Sequence, residues 1–310
     1  MCRAGGNVAS FVGASLRSLT AIRSSQRAGT FLALLLALNL MGQAPQLPGV
    51  ASASPALAAT AAAKPPWGRI IMVGASVSAG FTLSEPFGGS NTPQYRLSRY
   101  VDAALRVPHE PVQNLGNALF FLAPEAEGRR QIEAGLKAQP TLMVAVDFPF
   151  WFCYGNVRTN EDRLQRFEQG LKLLEKVQCP LVIGDIPDAS AAANGILSES
   201  QIPSVEVMAA ANRRLKEWSA TRPQVAIVAL SEFMRAAMAN QPVTVHNHIW
   251  PAGRTRALLQ EDKLHPSPSG CVALALAVLD AGLAKPSGPS ANEVRWDPEE
   301  VLRLVSVMPQ

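Results

Sequence analysis

Five short apolar runs lie along the chain and predict buried β-strands. Most of them are continuously apolar rather than alternating, which is typical of parallel strands that are covered on both faces. The runs are Gly68–Val73, Pro111–Leu115, Thr141–Val146, Pro180–Ile186 and Gln224–Leu230. They are bounded mainly by Gly, Pro and polar residues, as strand ends are.

Apolar residues between these runs recur at steps of three or four, the spacing of amphipathic helices. The clearest helix follows a capping box of Thr159 and Asp162, behind which Leu164, Phe167 and Leu171 share one face. The other predicted helices are Tyr95–Leu105, Pro124–Ala138, Ser204–Ala220, Ser269–Ala284 and a surface helix at Pro298–Val307. Strands that alternate with helices predict an α/β fold, a three-layer α/β/α sandwich with a central parallel sheet.

The first 63 residues differ in composition from the rest and predict a targeting segment. They contain no Asp or Glu, and a basic stretch ends at Arg27 before the apolar run Thr30–Met41. The 12 residues of that run suit a signal peptide better than a membrane span. Small residues at 51–53 and 56–58 form A-x-A cleavage patterns. An uncleaved membrane anchor is the alternative.

These features divide the chain into four predicted parts. The parts are a signal peptide at 1–53, an Ala/Pro-rich linker at 54–66, one folded domain at 67–284 and a C-terminal tail at 285–310. The leader predicts export, to the periplasm or out of the cell, and it is the only part expected to meet a membrane.

Charge and cysteine content narrow the possible partners. The four arginines of the leader equal the formal net charge of +4, so the residues from Lys64 onward carry balanced charge. Binding to nucleic acid depends on clustered Lys and Arg, so no nucleic-acid partner is expected. Three cysteines, Cys153, Cys179 and Cys271, follow the leader. They allow one disulfide at most, which excludes a disulfide-stapled scaffold.

The loop after the first predicted strand contains a candidate nucleophile. Ser76 stands in the segment Gly74–Gly80, among small residues that let a substrate approach its hydroxyl. A phosphate-binding loop would need a Lys where Phe81 stands, and a dinucleotide-binding loop would need a third glycine. The pattern that fits is G-x-S-x-x-x-G. Small residues are also common in a turn between a strand and a helix for packing reasons alone.

A second motif near the end of the domain supplies a matching base. Asp262 and His265 are three residues apart in a loop that contains Pro266 and precedes the last predicted helix of the domain. A carboxylate at that spacing can hold one ring nitrogen of the histidine, while the other nitrogen accepts a proton from a serine hydroxyl. Together the two motifs predict nucleophilic catalysis by Ser76.

The two motifs and the α/β pattern between them resemble the SGNH, or GDSL-type, hydrolase superfamily. The resemblance covers roughly residues 68 to 284 and implies a flavodoxin-like three-layer fold. It also implies that Ser76 is the nucleophile, with Asp262 and His265 completing a triad. The family's second block supplies a backbone N–H from a glycine, which corresponds to Gly116 beside Asn117.

The sequence departs from the family pattern at two places. Ala75 stands where the first block usually has Asp. The third block normally carries an oxyanion-binding Asn, but the corresponding stretch from Val146 to Trp151 contains Asp147 and no Asn. Loss of one oxyanion donor costs about 10²–10³ in turnover. Asn117 and Asn156 are possible replacements by loop position, whereas Asp147 as an anion would repel the oxyanion unless it is protonated or turned away.

Other polar residues offer weaker alternatives. The aromatic segment 148–154, which includes Trp151, predicts either a substrate wall or a hydrophobic plug, and Cys153 within it is an alternative nucleophile. His246 and His248 have a spacing that would place both on one strand face as metal ligands, although solvated loop histidines fit better. Asp185 and Asp188 follow a strand and favour lining or helix capping.

The sequence therefore predicts a serine ester hydrolase of the esterase, lipase or acetylesterase type. Its partner would be a small-molecule ester, including acylated carbohydrates and lipids, and no metal or organic cofactor is expected. A catalytically impaired binding protein for carbohydrate or lipid on the same fold is the rival class, and a metal-dependent hydrolase is the third.

Overall fold

The structure, a computed structural model, describes residues 67–285 and 290–309. The predicted signal peptide at 1–53 and the linker at 54–66 lie outside the described residues. Among the residues that are described, no helix has both the length and the apolar character that a membrane span requires.

Five strands form the central sheet. They are β1 (Ile70–Met72), β2 (Gln113–Asn114), β3 (Leu142–Ala145), β4 (Leu181–Gly184) and β5 (Val225–Val228). The order across the sheet is β2-β1-β3-β4-β5, and every neighbouring pair is parallel. This is the flavodoxin-like order. The chain goes from β1 to β2 on one side and then returns to the other side of β1, where β3, β4 and β5 follow in sequence. The predicted α/β fold with a central parallel sheet is confirmed.

Helices occupy most of the connections between strands. The α-helices of the described residues are α1 (Ser76–Ala79), α2 (Leu97–Ala104), α3 (Pro124–Lys137), α4 (Phe150–Cys153), α5 (Asn160–Leu174), α6 (Val205–Ala220), α7 (Leu230–Met238), α8 (Pro268–Leu283) and α9 (Pro298–Val307). Short 3₁₀ turns lie at Thr92–Tyr95, Phe120–Leu122, Ser190–Ala192, Glu199–Gln201, Thr255–Leu258 and Ala291–Glu293. The predicted N-cap of α5 is present, because the Thr159 side chain accepts a hydrogen bond from the Asp162 amide.

Two hydrophobic cores lie on the two faces of the sheet. Successive side chains of a strand point to opposite faces, so Ile70 and Met72 belong to one core and Ile71 to the other. The first core is completed by α2, α8 and α9, and the second by α3, α5 and α6. Three layers result, with the sheet fully covered in the middle.

The described residues after position 285 take part in the first core. Helix α9 is present where the sequence predicts a surface helix. Its outer face is exposed, and Val301 and Val305 on its inner face are buried against α2 and α8. The backbone of Val294 also bridges to Leu105 at the end of α2. The described part of 285–310 therefore packs against the first core.

Helix α7 and the hairpin that follows it were not predicted, because their sequence signals are short or run together with those of a neighbouring element. Helix α7 begins at Leu230, inside the predicted strand Gln224–Leu230, since only one residue separates it from β5. A two-stranded antiparallel hairpin follows, with β6 (Val243–Val245) and β7 (His248–Trp250). Strands of three residues are too short for a clear alternation of apolar and polar positions.

Candidate active site

Ser76, Asp262 and His265 meet at one edge of the sheet. Ser76 is the first residue of α1, just past the carboxyl end of β1, and the other two lie in the loop before α8. Ligands of open α/β sheets bind at the carboxyl ends of the strands. This arrangement of a serine after the first strand and D-x-x-H before the closing helix is the one that the SGNH resemblance implies.

The three side chains form a continuous hydrogen-bonded chain. His265 Nε2 lies 2.8 Å from Ser76 Oγ, and His265 Nδ1 lies 2.7 Å from Asp262 Oδ2. The Asp262 and His265 side chains are each only 3% exposed. A carboxylate on Nδ1 fixes the imidazole so that Nε2 is free to accept the serine proton. The tautomer is assigned from these contacts.

The loop that carries the base is held largely by its own residues. Asp262 Oδ1 accepts hydrogen bonds of 3.0 Å from the amides of Leu264 and His265, so one carboxylate fixes both the backbone and the ring. Lys263, which follows Asp262, has φ +61°, the left-handed conformation that closes this tight turn. The ring of Phe81 stacks on the His265 ring at 4.0 Å between centroids.

The pKa of Asp262 reflects two opposing influences. Burial raises it, but the hydrogen bond and charge of His265 and the amides of His265 and Leu264 together outweigh burial. The pKa of Asp262 therefore lies below its ordinary value, and the group is a carboxylate at neutral pH. A carboxylate is the form that stabilises a histidine when it becomes protonated.

Asp147 holds the turn that carries Ser76. It follows β3, yet its carboxylate reaches into α1, where Oδ2 accepts from the amides of Val77 (2.9 Å) and Ser78 (3.2 Å) and Oδ1 accepts from Ser78 Oγ (2.6 Å). Burial raises the pKa of Asp147, and its hydrogen bonds act in the opposite direction. The Asp147 carboxyl group is thus hydrogen-bonded inside the turn and is turned away from a developing oxyanion.

Gly74 and Gln131 complete this support. The side-chain amide of Gln131 accepts from the Gly74 amide at 2.7 Å and donates to the Gly74 carbonyl at 3.0 Å. A Cβ at Gly74 would lie 2.0 Å from Asp147 Oδ1, so only glycine leaves room for the Asp147 carboxylate. Sequence reasoning did not find Gln131, because nothing local in its helix marks it as a partner of the turn.

The residues predicted to bind an oxyanion have other partners. The Gly116 amide donates to Asn114 Oδ1 at 2.9 Å. Asn117 Oδ1 accepts from the Leu119 amide. The hydrogen bond from Arg130 does most to lower the pKa of Glu127, and the side chains of Gln131 and Asn117 contribute to the same effect. Asn156 Oδ1 accepts from Ser200 Oγ at 2.9 Å. Asn117 is therefore held within its own turn, and Asn156 is held by the 3₁₀ turn that contains Ser200.

The aromatic segment is both a plug and a wall. Its residues 150–153 form α4 rather than an open loop. Phe148 and Phe152 are fully buried in the second core, where they contact Phe120 edge-on. Trp151, in contrast, lines the space next to Ser76 and packs its ring against Phe121 at 5.4 Å. Each of the two sequence interpretations therefore describes part of the segment.

Two cavities meet at the Ser76 hydroxyl. One has a volume of about 70 Å³ and lies between Ala75, Trp151 and Met234. The other has a volume of about 220 Å³ and lies between Phe87, Phe121 and Trp151. Ser76, His265, Trp151 and Leu264 line both of them. A substrate bound across Ser76 therefore has one part in each cavity.

Cys153 is poorly suited to be the nucleophile. It is fully buried, and burial raises the pKa of its thiol to about 12, so the reactive thiolate is scarce at neutral pH. His265 Nε2, the nitrogen that could serve as the base for a cysteine, is hydrogen-bonded to Ser76 Oγ and not to Cys153.

His246 and His248 do not share a strand face. His246 lies in the hairpin turn with φ +52°, where it contacts Asp280 at 3.0 Å and stacks on Trp296. His248 packs edge-on against Trp250. Within residues 67–285 and 290–309, no three His, Cys, Asp or Glu side chains cluster in a way that could hold a metal ion.

Asp185 and Asp188 support loops around the site. Asp185 accepts hydrogen bonds from the backbone and the hydroxyl of Ser231, in the first turn of α7. Asp188 accepts from the Ser190 amide at 2.9 Å. Asp185 thereby stabilises a helix start that lies 46 residues further along the chain.

Comparisons with known proteins give similarity in structure only. No protein-family model matches the sequence, and no curated protein matches it. A lipase/acylhydrolase from Enterococcus faecalis is 16% identical, with 74% of this chain and 98% of that chain covered and a TM-score of 0.48. A variant of an acetyl xylan esterase from Geobacillus stearothermophilus is also 16% identical, with 69% and 94% covered and a TM-score of 0.45. An α/β hydrolase enzyme from the metagenome of Lake Arreo, Spain, is 15% identical, with 69% and 94% covered and a TM-score of 0.44. The assignment of an activity to this chain rests on its own residues.

Proposed function

We propose that the protein is a serine carboxylic ester hydrolase. The observation that carries the proposal is the unbroken contact from Ser76 Oγ through His265 to Asp262, at 2.8 and 2.7 Å, beside two cavities that open on the hydroxyl. A serine hydroxyl is a weak nucleophile on its own, and an adjacent base oriented by a third group is what activates it.

The reaction proceeds in two halves. Ser76 Oγ attacks the ester carbonyl carbon while its proton passes to His265 Nε2. The bond from that carbon to the alcohol oxygen then breaks, and the alcohol oxygen takes the proton from His265, which leaves the acyl group on Ser76. A water molecule attacks the acyl carbon and gives a proton to His265. The proton returns to Ser76 Oγ as the carboxylic acid departs.

The charge that develops on the carbonyl oxygen needs hydrogen-bond donors. We assign this role to the Ser76 amide and, in part, to the Gly116 amide, which has to share its existing bond with Asn114 Oδ1. The Asp147 carboxylate does not oppose this charge at close range, because its oxygens are bonded to Val77 and Ser78 inside the turn. The scheme uses no metal ion or organic cofactor.

The engaged Gly116 amide also favours a second candidate function. A protein whose oxyanion donors are occupied can bind esters or acylated ligands without turning them over. This binding protein would share the two cavities but have no reactive serine.

Fluorophosphonate labelling and hydrolysis of p-nitrophenyl acetate separate the two functions. The purified protein should be labelled and should release p-nitrophenol, and Ser76→Ala should abolish both signals. Ser306→Ala, which removes an exposed hydroxyl on α9, is the matched control and should behave as the parent. Labelling that is equal in Ser76→Ala and parent would reject the hydrolase.

We also propose that the leader exports the protein. Its lack of acidic residues, its basic stretch and its apolar run support this proposal. Mass spectrometry of the protein from the native compartment should give an N-terminus near 54 or 59. An N-terminus at Met1 on protein from the cell interior would contradict export.

A further inference from the structure

The smaller cavity beside Ser76 is lined mainly by buried apolar side chains. Ala75, Val146, Met234 and Leu259 line it, and each is less than a tenth exposed. A cavity of about 150 Å³ is known to hold benzene, so 70 Å³ accommodates roughly three carbon atoms. The walls come from the turn of Ser76, the residue after β3, helix α7 and the residue after the 3₁₀ turn Thr255–Leu258.

The larger cavity opens to solvent and has an exposed apolar rim. Phe87, Leu119 and Phe121 line it with 86, 41 and 39% of their surface exposed. Leu83 and Leu122 are also exposed, so five of the eight large exposed apolar side chains in the described residues lie between positions 83 and 122. Clustered exposed apolar side chains mark a binding surface more often than isolated ones do.

Polar groups in this larger cavity are scarce. Apart from Ser76 and His265, the side chains in its lining that carry a polar group are Trp151, with one indole N–H, and Gln201, whose Oε1 already accepts from the Ser198 amide. A sugar would lose the water bound to its hydroxyls and find few hydrogen-bond partners, which is unfavourable. An apolar ring or branched alkyl group loses nothing by the same transfer and buries surface against Phe87 and Phe121.

The order of product release assigns the two parts of the ester. The alcohol leaves while the acyl group is still bonded to Ser76 and still fills its own cavity, so the alcohol needs a path to solvent that does not run through that cavity. The acid leaves later, along the path that the alcohol has vacated. We infer that the smaller cavity takes a short acyl chain, of two to about four carbons, and that the larger cavity with its exposed rim takes an apolar, ring-sized alcohol. This inference rests on the proposed ester hydrolysis.

The acyl cavity is tested with p-nitrophenyl acetate, butyrate, hexanoate and octanoate. We expect kcat/KM for the octanoate to be at least about 100-fold below that for the acetate, because methylenes that find no room cost about tenfold or more each. Met234→Ala enlarges the cavity and should move the optimum to longer chains. Met238→Ala, on the same helix but outside the lining, should leave it unchanged.

The alcohol cavity is tested with two acetates of primary alcohols, so that their chemical reactivity is matched. 2-Phenylethyl acetate should be hydrolysed with a kcat/KM at least about tenfold above that of 6-O-acetylglucose, since only the phenyl ring gains from burial. Phe121→Ser should lower kcat/KM several-fold for the phenylethyl ester alone. Leu122→Ser, a substitution at the adjacent and more exposed residue outside the lining, should change neither.

The outcomes distinguish failure of this inference from failure of the proposed function. Equal turnover of acetate and octanoate, or faster turnover of the sugar acetate, would overturn the inference while ester hydrolysis stands. Absence of turnover for every ester, together with absence of fluorophosphonate labelling, would reject the proposed function and the inference with it.

Discussion

The loop that carries His265, the proposed base, and the turn that carries Ser76, the proposed nucleophile, are built by different kinds of contact. In the loop, one carboxylate binds the ring and two amides within four residues, so Asp262 and His265 form a local unit. In the turn, the supporting groups come from Gln131 and Asp147, which are 57 and about 70 residues away from their partners. The comparison teaches that a catalytic group can be locally specified while its counterpart depends on the whole sheet.

Substitution of the proposed base, His265, should have the largest effect on kcat. His265→Ala removes the group that takes the Ser76 proton, and we expect kcat to fall by about 10⁵–10⁶, as far as loss of the serine itself lowers it. Steady-state hydrolysis of p-nitrophenyl acetate gives this value. Because the two groups act as one unit, a double variant with Ser76→Ala should be no slower, and an additive loss would contradict the proposed mechanism.

Asp262→Asn should have the next largest effect. The amide can hold neither the imidazole tautomer nor its positive charge, so kcat should fall by up to about 10⁴. Circular dichroism should show a folded protein, because Asn still accepts the two backbone bonds through one oxygen. A loss of less than tenfold would show that His265 is oriented by its other contacts, such as Phe81.

Gly74→Ala tests the long-range support of the turn. The new Cβ would overlap Asp147 Oδ1, which must move and give up its bonds to α1. We expect unfolding free energy to fall by about 1–3 kcal/mol and kcat to fall as well. Urea denaturation measures the first. Gly195→Ala is the matched control, because its Cβ would make only an ordinary contact of 3.4 Å.

The smallest expected effect is on the pH dependence of stability, and it has opposite signs in the two regions. The pKa of Asp262 is lowered on folding, so its stabilisation is present above about pH 4 and is lost as the pH falls through the folded pKa. The pKa of Asp147 is raised, so its protonated form stabilises the fold at low pH and this contribution is lost as the pH rises through the folded pKa.

Asparagine variants measure how the contribution of each aspartate to stability changes with pH. The destabilisation caused by Asp262→Asn should shrink as the pH falls from 7 to about 3, whereas that caused by Asp147→Asn should shrink as the pH rises. Urea denaturation at each pH gives the free energies of unfolding. Parallel curves for the two variants would show that the two carboxyl groups titrate alike.

The sequence predicted what depends on neighbours in the chain. The five strands, the capped helix behind Thr159 and the pairing of Asp262 with His265 all follow from spacing and local residue types. It did not predict α7, whose start is stabilised by Asp185 from another strand end. Nor did it predict the support from Gln131, since a buried glutamine on a helix has no local signature that names its partner.

Asp147 shows most clearly what the sequence could not predict. From sequence it stands in the position of an oxyanion donor and has the wrong charge for that role. In the structure the same side chain accepts three bonds from Val77 and Ser78. The difference arises because the direction of a side chain after a strand depends on which loops the folded sheet brings beside it.

Gln260 connects the two regions directly. Its side-chain Nε2 donates to the carbonyls of Phe81 and Pro266, at 2.9 Å each, and so joins the segment after α1 to the loop after His265. One rigid amide group couples pieces of chain that lie 179 and 6 residues from it. We therefore expect a displacement of either piece to be shared by the other, which keeps the distance between the Ser76 hydroxyl and the His265 ring the same.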